Sequence, residues 1–285
     1  MNFFAVPVLS LLLVACPALL AASAPLSPDQ VKILEAVRAS ALRYTQKLPD
    51  FMCTQVTRRT VSDIANLGSD LTGLSGRGSS LAGLSPMMSS TPNPGDVIEE
   101  HLTFIDHKEN YTVVEVNGRK VSGIDHMQFQ GAISAGEFGS DLHNIFDPRF
   151  GTVFAWERAG SLHGHRIYIY SFHVPAQHGA VIVDRDSGRL VVAPYAGRVV
   201  VDAATLSVLR IDYHVELPLS FPIRDSEITI EYKTIGIAGH NYMLPFRSEV
   251  RMQDQSRQYV NTIDFRNYHK FVVESTVLYG ARKPQ

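Results

Sequence analysis

The chain has 285 residues, of which 45% are hydrophobic and 19% are charged, and its formal net charge is −2. This balance argues against a protein that binds nucleic acid through a basic surface. Only two cysteines are present, which argues against a disulfide-stapled fold, so a hydrophobic core has to supply the stability.

Residues 1–24 have the pattern of a signal peptide. They carry no charged side chain, and an apolar run at 3–20 precedes four small residues. The pattern predicts export to the periplasm or elsewhere outside the cytoplasm. The string 13–16 also has the form of a lipobox, so lipidation of Cys16 and association with the membrane are the alternative. Two prolines interrupt the run, which disfavours a transmembrane anchor. We predict a signal peptide at 1–24 and a single β-rich domain at 25–285.

A helix is predicted over 28–48. Ser27 is a suitable N-cap, and Gln30 completes a capping box with it. Proline is favoured at the first helical position, and Pro49 ends the helix. Its spacing predicts one apolar face that covers a sheet. The residues of this covering face are Val31, Leu34, Val37, Ala41 and Leu42.

Most of the remaining chain is predicted to form strands. The first covers 51–61, and residues 62–95 are rich in Gly, Ser and Pro without periodicity, which predicts a flexible loop. From residue 96 to 279, alternating strands and short turns follow one another, with one short helix within 136–146. The predicted strands include 206–217, 226–233 and 272–279, and turns are predicted at Asn117-Gly118 and Ala238-Gly239. Leu209, Ile211 and Tyr213 share one face of the strand at 206–217, and Ile228, Ile230 and Tyr232 share one face of the strand at 226–233. About a dozen strands and one covering helix predict a mainly β (α+β) fold, as a strongly curved antiparallel sheet or open half-barrel.

Three short strings carry a resemblance to known proteins. They are YTQKLPDF at 44–51, GEFGS at 136–140 and NYHKF at 267–271, and they resemble strings in exported proteins of acidobacteria. With the order of signal peptide, helix and antiparallel strands, the chain resembles the LolA/LolB-like lipoprotein-carrier superfamily. This resemblance implies an open half-barrel outside the cytoplasm that holds lipid or acyl chains and has no catalytic residues.

Aromatic residues on the predicted strands are the candidate binding surface. In an open half-barrel the inner core and a pocket share one surface, so these rings could select a lipid or other hydrophobic ligand by burial. The alternative is a filled core in a structural or signalling module that recognises another envelope protein. The candidate ligand-binding residues are Tyr168, Tyr170, Phe172, Tyr242, Phe246, Tyr259 and Phe265.

No motif fixes an enzymatic activity. His163 and His165 have the spacing of some metal sites, but two ligands do not make a closed zinc site, so we interpret them as part of a polar turn. The string 132–136 imitates a nucleophile elbow without the alternation of strands and helices that such an elbow needs. Glu99 and Glu100 would lie on opposite faces of a strand. We predict no catalytic residue, metal or cofactor, and a hydrolase is the least favoured function.

Overall fold

The computed structural model describes residues 25–64, 95–124, 126, 137–184 and 187–271. The signal peptide at 1–24, Cys16, most of the loop at 62–95, the elbow-like string at 132–136 and the strand predicted at 272–279 lie outside these residues. Among the helices described, none is long and apolar enough to cross a membrane.

Helix α1 spans Pro28–Lys47 and begins with the predicted capping box. The backbone N–H of Gln30 donates to Ser27 Oγ at 3.3 Å, and the backbone N–H of Ser27 donates to Gln30 Oε1 at 2.8 Å. This reciprocal pair satisfies two of the amide groups that a helix start leaves without partners.

The buried stripe of α1 differs slightly from the predicted face. Leu34, Val37 and Ala41 are buried, and Leu42 packs against them half-buried. Val31 is 42% exposed. At 100° per residue it lies at the edge of the stripe centred on Val37 and Ala41. Ile33, which is not part of the predicted face, packs against the core.

In the described part of the chain, eleven strands form one open antiparallel sheet in the order β4-β3-β2-β1-β13-β12-β11-β10-β9-β6-β5, and β7 and β8 form a separate hairpin. The two edge strands of the large sheet are not neighbours, so the sheet is not closed, and the predicted fold class is confirmed. The strand bounds are β1 Phe51–Asp63, β2 Val97–Ile105, β3 Lys108–Val116, β4 Arg119–Lys120, β5 Val153–Leu162, β6 His165–Val174, β7 Ala180–Asp184, β8 Arg189–Ala193, β9 Tyr195–Asp202, β10 Val208–Val215, β11 Asp225–Ile237, β12 His240–Gln253 and β13 Arg257–Lys270.

Strand β1 is longer than predicted. It pairs with β13 as far as Asp63↔Arg257, so the first residues of the predicted loop belong to the sheet. Helix α2, Ser140–Phe146, is shorter than the predicted segment at 136–146. The difference is at its start, because residues 137–139 form a turn.

Among the described residues, two large hydrophobic clusters and a small one around Ile98 and Val113 pack on the sheet. The helix-covered cluster joins α1 and α2 to strands β6, β9, β10 and β11, and Tyr170, Val199 and Ile230 in it have no exposed surface. The aromatic cluster joins β1, β2, β12 and β13, where Phe51 stacks on Phe104 with ring centroids 5.1 Å apart. Cys53 is buried in the aromatic cluster, where it packs as a small hydrophobic residue.

The two acids of β2 lie on opposite faces, as predicted. Glu99 is at the surface in an ion pair with Arg266, with Oε2 2.7 Å from Nη2. Glu100 is 1% exposed, and its carboxylate accepts from Gln55 Nε2 at 2.9 Å and lies 2.7 Å from His126 Nδ1. A buried polar group of this kind is stabilised by such partners.

The β7–β8 hairpin has one buried and one exposed face. Ile182 and Val191 pack against the helix-covered cluster. Because side chains alternate along a strand, the other face points away from this cluster. That face carries four exposed apolar residues, Val181, Val183, Leu190 and Val192.

Candidate functional site

A large opening among the described residues lies at a step in the sheet where strand β11 continues past strand β10. The last β10–β11 pair at this end is Arg210↔Glu231. The β11–β12 hairpin continues as a paired ribbon to Ile237↔His240. The step holds a cleft of about 750 Å³, which we call the notch cleft. This volume is within the usual range of small-molecule sites, about 300–1,000 Å³.

Four chain segments line the notch cleft. The β5–β6 hairpin and the β9–β10 turn form one wall, and the step between β10 and the β11–β12 ribbon forms the other. The lining residues are Leu162, His163, His165, Asp202, Ala204, Thr205, Leu209, Arg210, Glu231, Tyr232, Lys233, Thr234, Met243 and Phe246.

Two β-bulges supply central apolar residues of the lining. In the β9–β10 ladder the pairing passes from Val208 to Arg210, so Leu209 has no ladder partner. In the β11–β12 ladder, Glu231 pairs with Arg247 and Tyr232 with Pro245, so Phe246 is the extra residue. A bulge breaks the strict alternation of side chains and re-aims the extra one. Leu209 and Phe246 therefore line the cleft on both sides of the step.

Two of the acidic groups of the lining are engaged in bonds to the protein. Asp202 Oδ1 accepts from the backbone N–H groups of Ala204 at 2.9 Å and Thr205 at 2.7 Å, and from Thr205 Oγ1 at 3.1 Å. The backbone bond from Thr205 is the main cause that lowers the pKa of Asp202, and the nearby charge of His165 lowers it further. Glu231 Oε1 lies 3.4 Å from Arg210 Nη1, and Arg210 also pairs with Asp212 at 2.8 Å.

Lys233 packs against the aromatic ring of Phe246. Its Nζ lies 4.7 Å from the centroid of the Phe246 ring, a cation–π distance. Tyr232, the neighbour of Lys233 on the opposite face of β11, is also part of the cleft lining. It is buried, and its hydroxyl donates to the backbone oxygen of Glu137 at 3.2 Å. Burial raises the pKa of Tyr232 well above its ordinary value.

Two further openings between described residues are smaller than the notch cleft. A cleft of about 210 Å³ lies between the β2–β3 turn and α2, beside His107 and His143. A cavity of about 30 Å³ lies beneath α1, beside Ala41 and Tyr44, which is room for about one water molecule. The space under the helix is thus filled by side chains.

The predicted ligand-binding residues are distributed over three places. Phe246 lines the notch cleft. Tyr170 and Phe172 are buried in the helix-covered cluster, and half-buried Tyr168 packs against it. Phe265 is buried in the aromatic cluster, and half-buried Tyr242 and Tyr259 pack against that one. The structure therefore does not bring the seven rings together in one site.

The predicted covering residues lie away from the notch cleft, on α1. His163 and His165 do line it, and they are exposed. His163 occupies the β5–β6 turn with φ of 50°, in agreement with the interpretation as a polar turn. Among the described residues, no group of three or more His, Cys, Asp and Glu side chains is placed to hold a metal ion.

Most residues of the cleft lining were not predicted, because the sequence does not show that β10 and β11 end at different places. The predicted strands at 206–217 and 226–233 are, respectively, longer than β10 and shorter than β11. The signal that could have revealed the step is the turn at Ala238-Gly239, since a hairpin there requires β11 to continue to Ile237.

Comparisons with known proteins give structural likeness only. No protein-family model matches the chain, and no curated protein matches it. A LolA superfamily protein from Nitrosomonas europaea is similar at 11% identity and a TM-score of 0.31, over 85% of this chain and 94% of that one. An outer membrane lipoprotein-sorting protein domain from Vibrio parahaemolyticus is similar at 7% identity and a TM-score of 0.37, over 84% and 92%.

A third structure, a DUF1329 family protein from Desulfovibrio piger, is similar at 13% identity and a TM-score of 0.34, over 85% of this chain and 95% of that one. Two of these three structures are of proteins whose names refer to LolA or to lipoprotein sorting, the resemblance that the sequence predicts. TM-scores of this size carry no information about function, so function has to be argued from the notch cleft.

Proposed function

We propose that the protein is a non-enzymatic binding protein that holds a lipid, an acylated molecule or another hydrophobic ligand in the notch cleft. The observation that carries this proposal is the pair of bulges, which turn Leu209 and Phe246 toward an opening of about 750 Å³. An apolar side chain that faces an open cleft exposes apolar surface to water. A bound hydrocarbon chain would bury that surface, which is favourable.

The expected affinity follows from the burial of methylene groups. Each buried methylene contributes about 0.8 kcal/mol, which is about a fourfold gain in affinity per methylene. A ligand that lies along Leu162, Leu209 and Phe246 would gain this increment until the cleft is full. Selectivity for a hydrocarbon chain, rather than for one hydrogen-bonding pattern, is the behaviour expected of such a lining.

The test uses the neutral fluorescent probe N-phenyl-1-naphthylamine and a series of straight-chain alcohols from octanol to dodecanol. We expect the probe to bind, and each added methylene to lower the alcohol concentration needed for displacement by about fourfold. Phe246→Ala should weaken probe binding about tenfold, since it removes a large part of the apolar wall.

Tyr168→Ala is the matched control, because Tyr168 is a half-buried aromatic residue that packs on Trp156, with ring centroids 5.4 Å apart, away from the cleft. It should leave probe binding unchanged. If Tyr168→Ala weakens binding and Phe246→Ala does not, the ligand lies along β6. If the wild-type protein binds neither probe nor alcohol, the alternative of an interaction module without a ligand pocket replaces the proposal.

We also propose that the protein works outside the cytoplasm, on the strength of the apolar segment at 3–20. Fractionation of the native host should find it in the periplasm or another exported fraction, shortened at its N-terminus. Full-length chain in the cytosol would contradict this. Acyl labelling that disappears in Cys16→Ser would identify the lipid-anchored alternative.

A further inference from the structure

The charged groups around the notch cleft differ in whether they already form hydrogen bonds or ion pairs within the protein. Asp202 accepts three hydrogen bonds within its own turn, and Glu231 pairs with Arg210. Arg210 is in turn shared with Asp212. These groups stabilise the two walls of the cleft, so a ligand would have to compete with existing bonds to use them.

Lys233 is the exception. Within the described part of the chain, no carboxylate lies within ion-pair distance of its ammonium group, whose contact is the ring of Phe246 at 4.7 Å. The cation therefore stands beside the apolar residue that the β12 bulge turns into the cleft. An apolar wall next to a cation that has no carboxylate partner among the described residues is complementary to a chain that ends in a negative charge.

The wall opposite the step also carries side chains that can donate to an anion, next to the engaged Asp202. His163 and His165 are exposed at the β5–β6 hairpin and line the cleft. Their ring N–H groups can donate to an anion but offer nothing to a cationic headgroup when protonated. A positively charged headgroup would instead meet Asp202 and Glu231, which already have partners.

We propose that the ligand of the notch cleft is an amphiphile with one anionic headgroup, a carboxylate or a phosphate ester, bound with its headgroup at Lys233 and its chain along Leu209 and Phe246. This inference rests on the function proposed above and narrows its ligand class. Lys233 then determines headgroup specificity, whereas the bulge residues determine chain binding.

The experiment measures displacement of N-phenyl-1-naphthylamine by four ligands with the same twelve-carbon chain: dodecanoate, dodecyl phosphate, dodecanol and dodecyltrimethylammonium. All are used below the concentrations at which they form micelles. We expect both anions to bind about tenfold more tightly than dodecanol and the cation more weakly than dodecanol. The anion preference should fall as salt is added. The ratio of dodecanoate to dodecyl phosphate shows which headgroup is preferred.

Three variants assign the preference to one side chain. Lys233→Gln should abolish the preference for anions, so that dodecanoate, dodecyl phosphate and dodecanol displace the probe at similar concentrations. Lys233→Arg should retain the preference, because it keeps the charge. Lys108→Gln, which alters an exposed lysine at the start of β3, is the matched control and should behave as wild type.

Each other outcome has a definite meaning. Equal binding of dodecanoate and dodecanol, or tighter binding of the cation, would overturn this inference while the proposed function stands. A preference for anions that survives Lys233→Gln would also overturn it. Failure of all four ligands to displace the probe, or failure of the probe to bind, would instead remove the proposed function.

Discussion

The region under α1 and the notch cleft are both rich in apolar side chains, but only one of them has room. Under the helix, Leu34, Val37 and Tyr170 are buried, and the remaining cavity is about 30 Å³. At the step between β10 and β11 the opening is about 750 Å³. The difference comes from strand length and bulges rather than from composition. A covering helix over a curved sheet is therefore not enough to indicate where a ligand binds.

The comparison also separates stability from binding. Side chains in the filled region hold the fold together, since each buried one would leave a cavity if shortened. Leu209 and Phe246 at the step are half-buried. Shortening either one leaves a space that solvent can fill, which costs the fold much less. Substitutions in the two regions should therefore affect different measurements.

The largest expected effect is on stability under the helix. Leu34→Ala should lower the free energy of unfolding by about 2–5 kcal/mol, because Leu34 is only 5% exposed and its truncation leaves a cavity. Urea unfolding measures the loss, and probe binding by the folded fraction should stay unchanged. Leu34→Asp should be more destabilising still, since it buries a charge without a partner. If Leu34→Ala changes probe binding instead of stability, α1 is a displaceable lid and the comparison fails.

The second effect is on binding at the step. Ala204→Trp places a large ring on the wall of the notch cleft, where Ala204 is exposed. It should weaken probe binding about tenfold by filling space, with a change in unfolding free energy within about 0.5 kcal/mol.

The matched control for that variant is Ala176→Trp, since Ala176 is exposed in a 3-10 turn outside the cleft lining. It should bind the probe as wild type does. Wild-type affinity in Ala204→Trp would show that the ligand does not occupy the step.

The smallest effect concerns acid stability beside α2. Hydrogen bonds from the Arg149 side chain lower the pKa of Asp147 to about 2, below the usual value of about 3.9. A carboxylate whose pKa is lower in the folded state adds stability above pH of about 4 and loses it as the pH falls toward 2. Asp147→Asn should cost roughly 1 kcal/mol at neutral pH, less than the full shift implies, because solvent screens the exposed Arg149.

Urea unfolding between pH 7 and pH 2 checks this prediction. The two proteins should differ at pH 7 and converge near pH 2, with probe binding at neutral pH the same in both. The control variant is Glu35→Gln, which removes an exposed i,i+3 ion pair with Arg38. It should lower the free energy of unfolding by no more than about 0.5 kcal/mol. A constant difference at every pH would show that Asp147 acts through shape rather than charge.

Much of the fold could be predicted from local rules. The capping box at Ser27, the alternation of Ile228, Ile230 and Tyr232, and the turn at Asn117 each reflect interactions between residues near in sequence. The opposite orientation of Glu99 and Glu100 follows from the two-residue period of a strand. Such rules state the kind of element and which face is buried.

The candidate site could not be predicted in the same way, because it depends on how strands of unequal length meet. The alternation rule grouped Leu209 with Ile211 and Tyr213, but Leu209 lies in a bulge that only the pairing with β9 reveals. Phe246 was predicted as a ligand residue from its aromatic character, without its neighbour Lys233. The remaining rings were grouped by type, although tertiary packing divides them between two clusters.

The burial of Cys53 makes its thiol a natural reporter of local unfolding. The thiol is 2% exposed, and burial raises its pKa to about 12, so almost none of it is the reactive thiolate at neutral pH. In a chain that begins after residue 24, Cys53 is the sole thiol. An alkylating reagent can then react only in molecules where β1 has separated from its neighbours. The rate of labelling therefore reports how often this part of the sheet opens, and no reporter group has to be introduced. A cysteine engineered on the rim of the cleft could also be labelled with a dye under conditions in which Cys53 stays unlabelled.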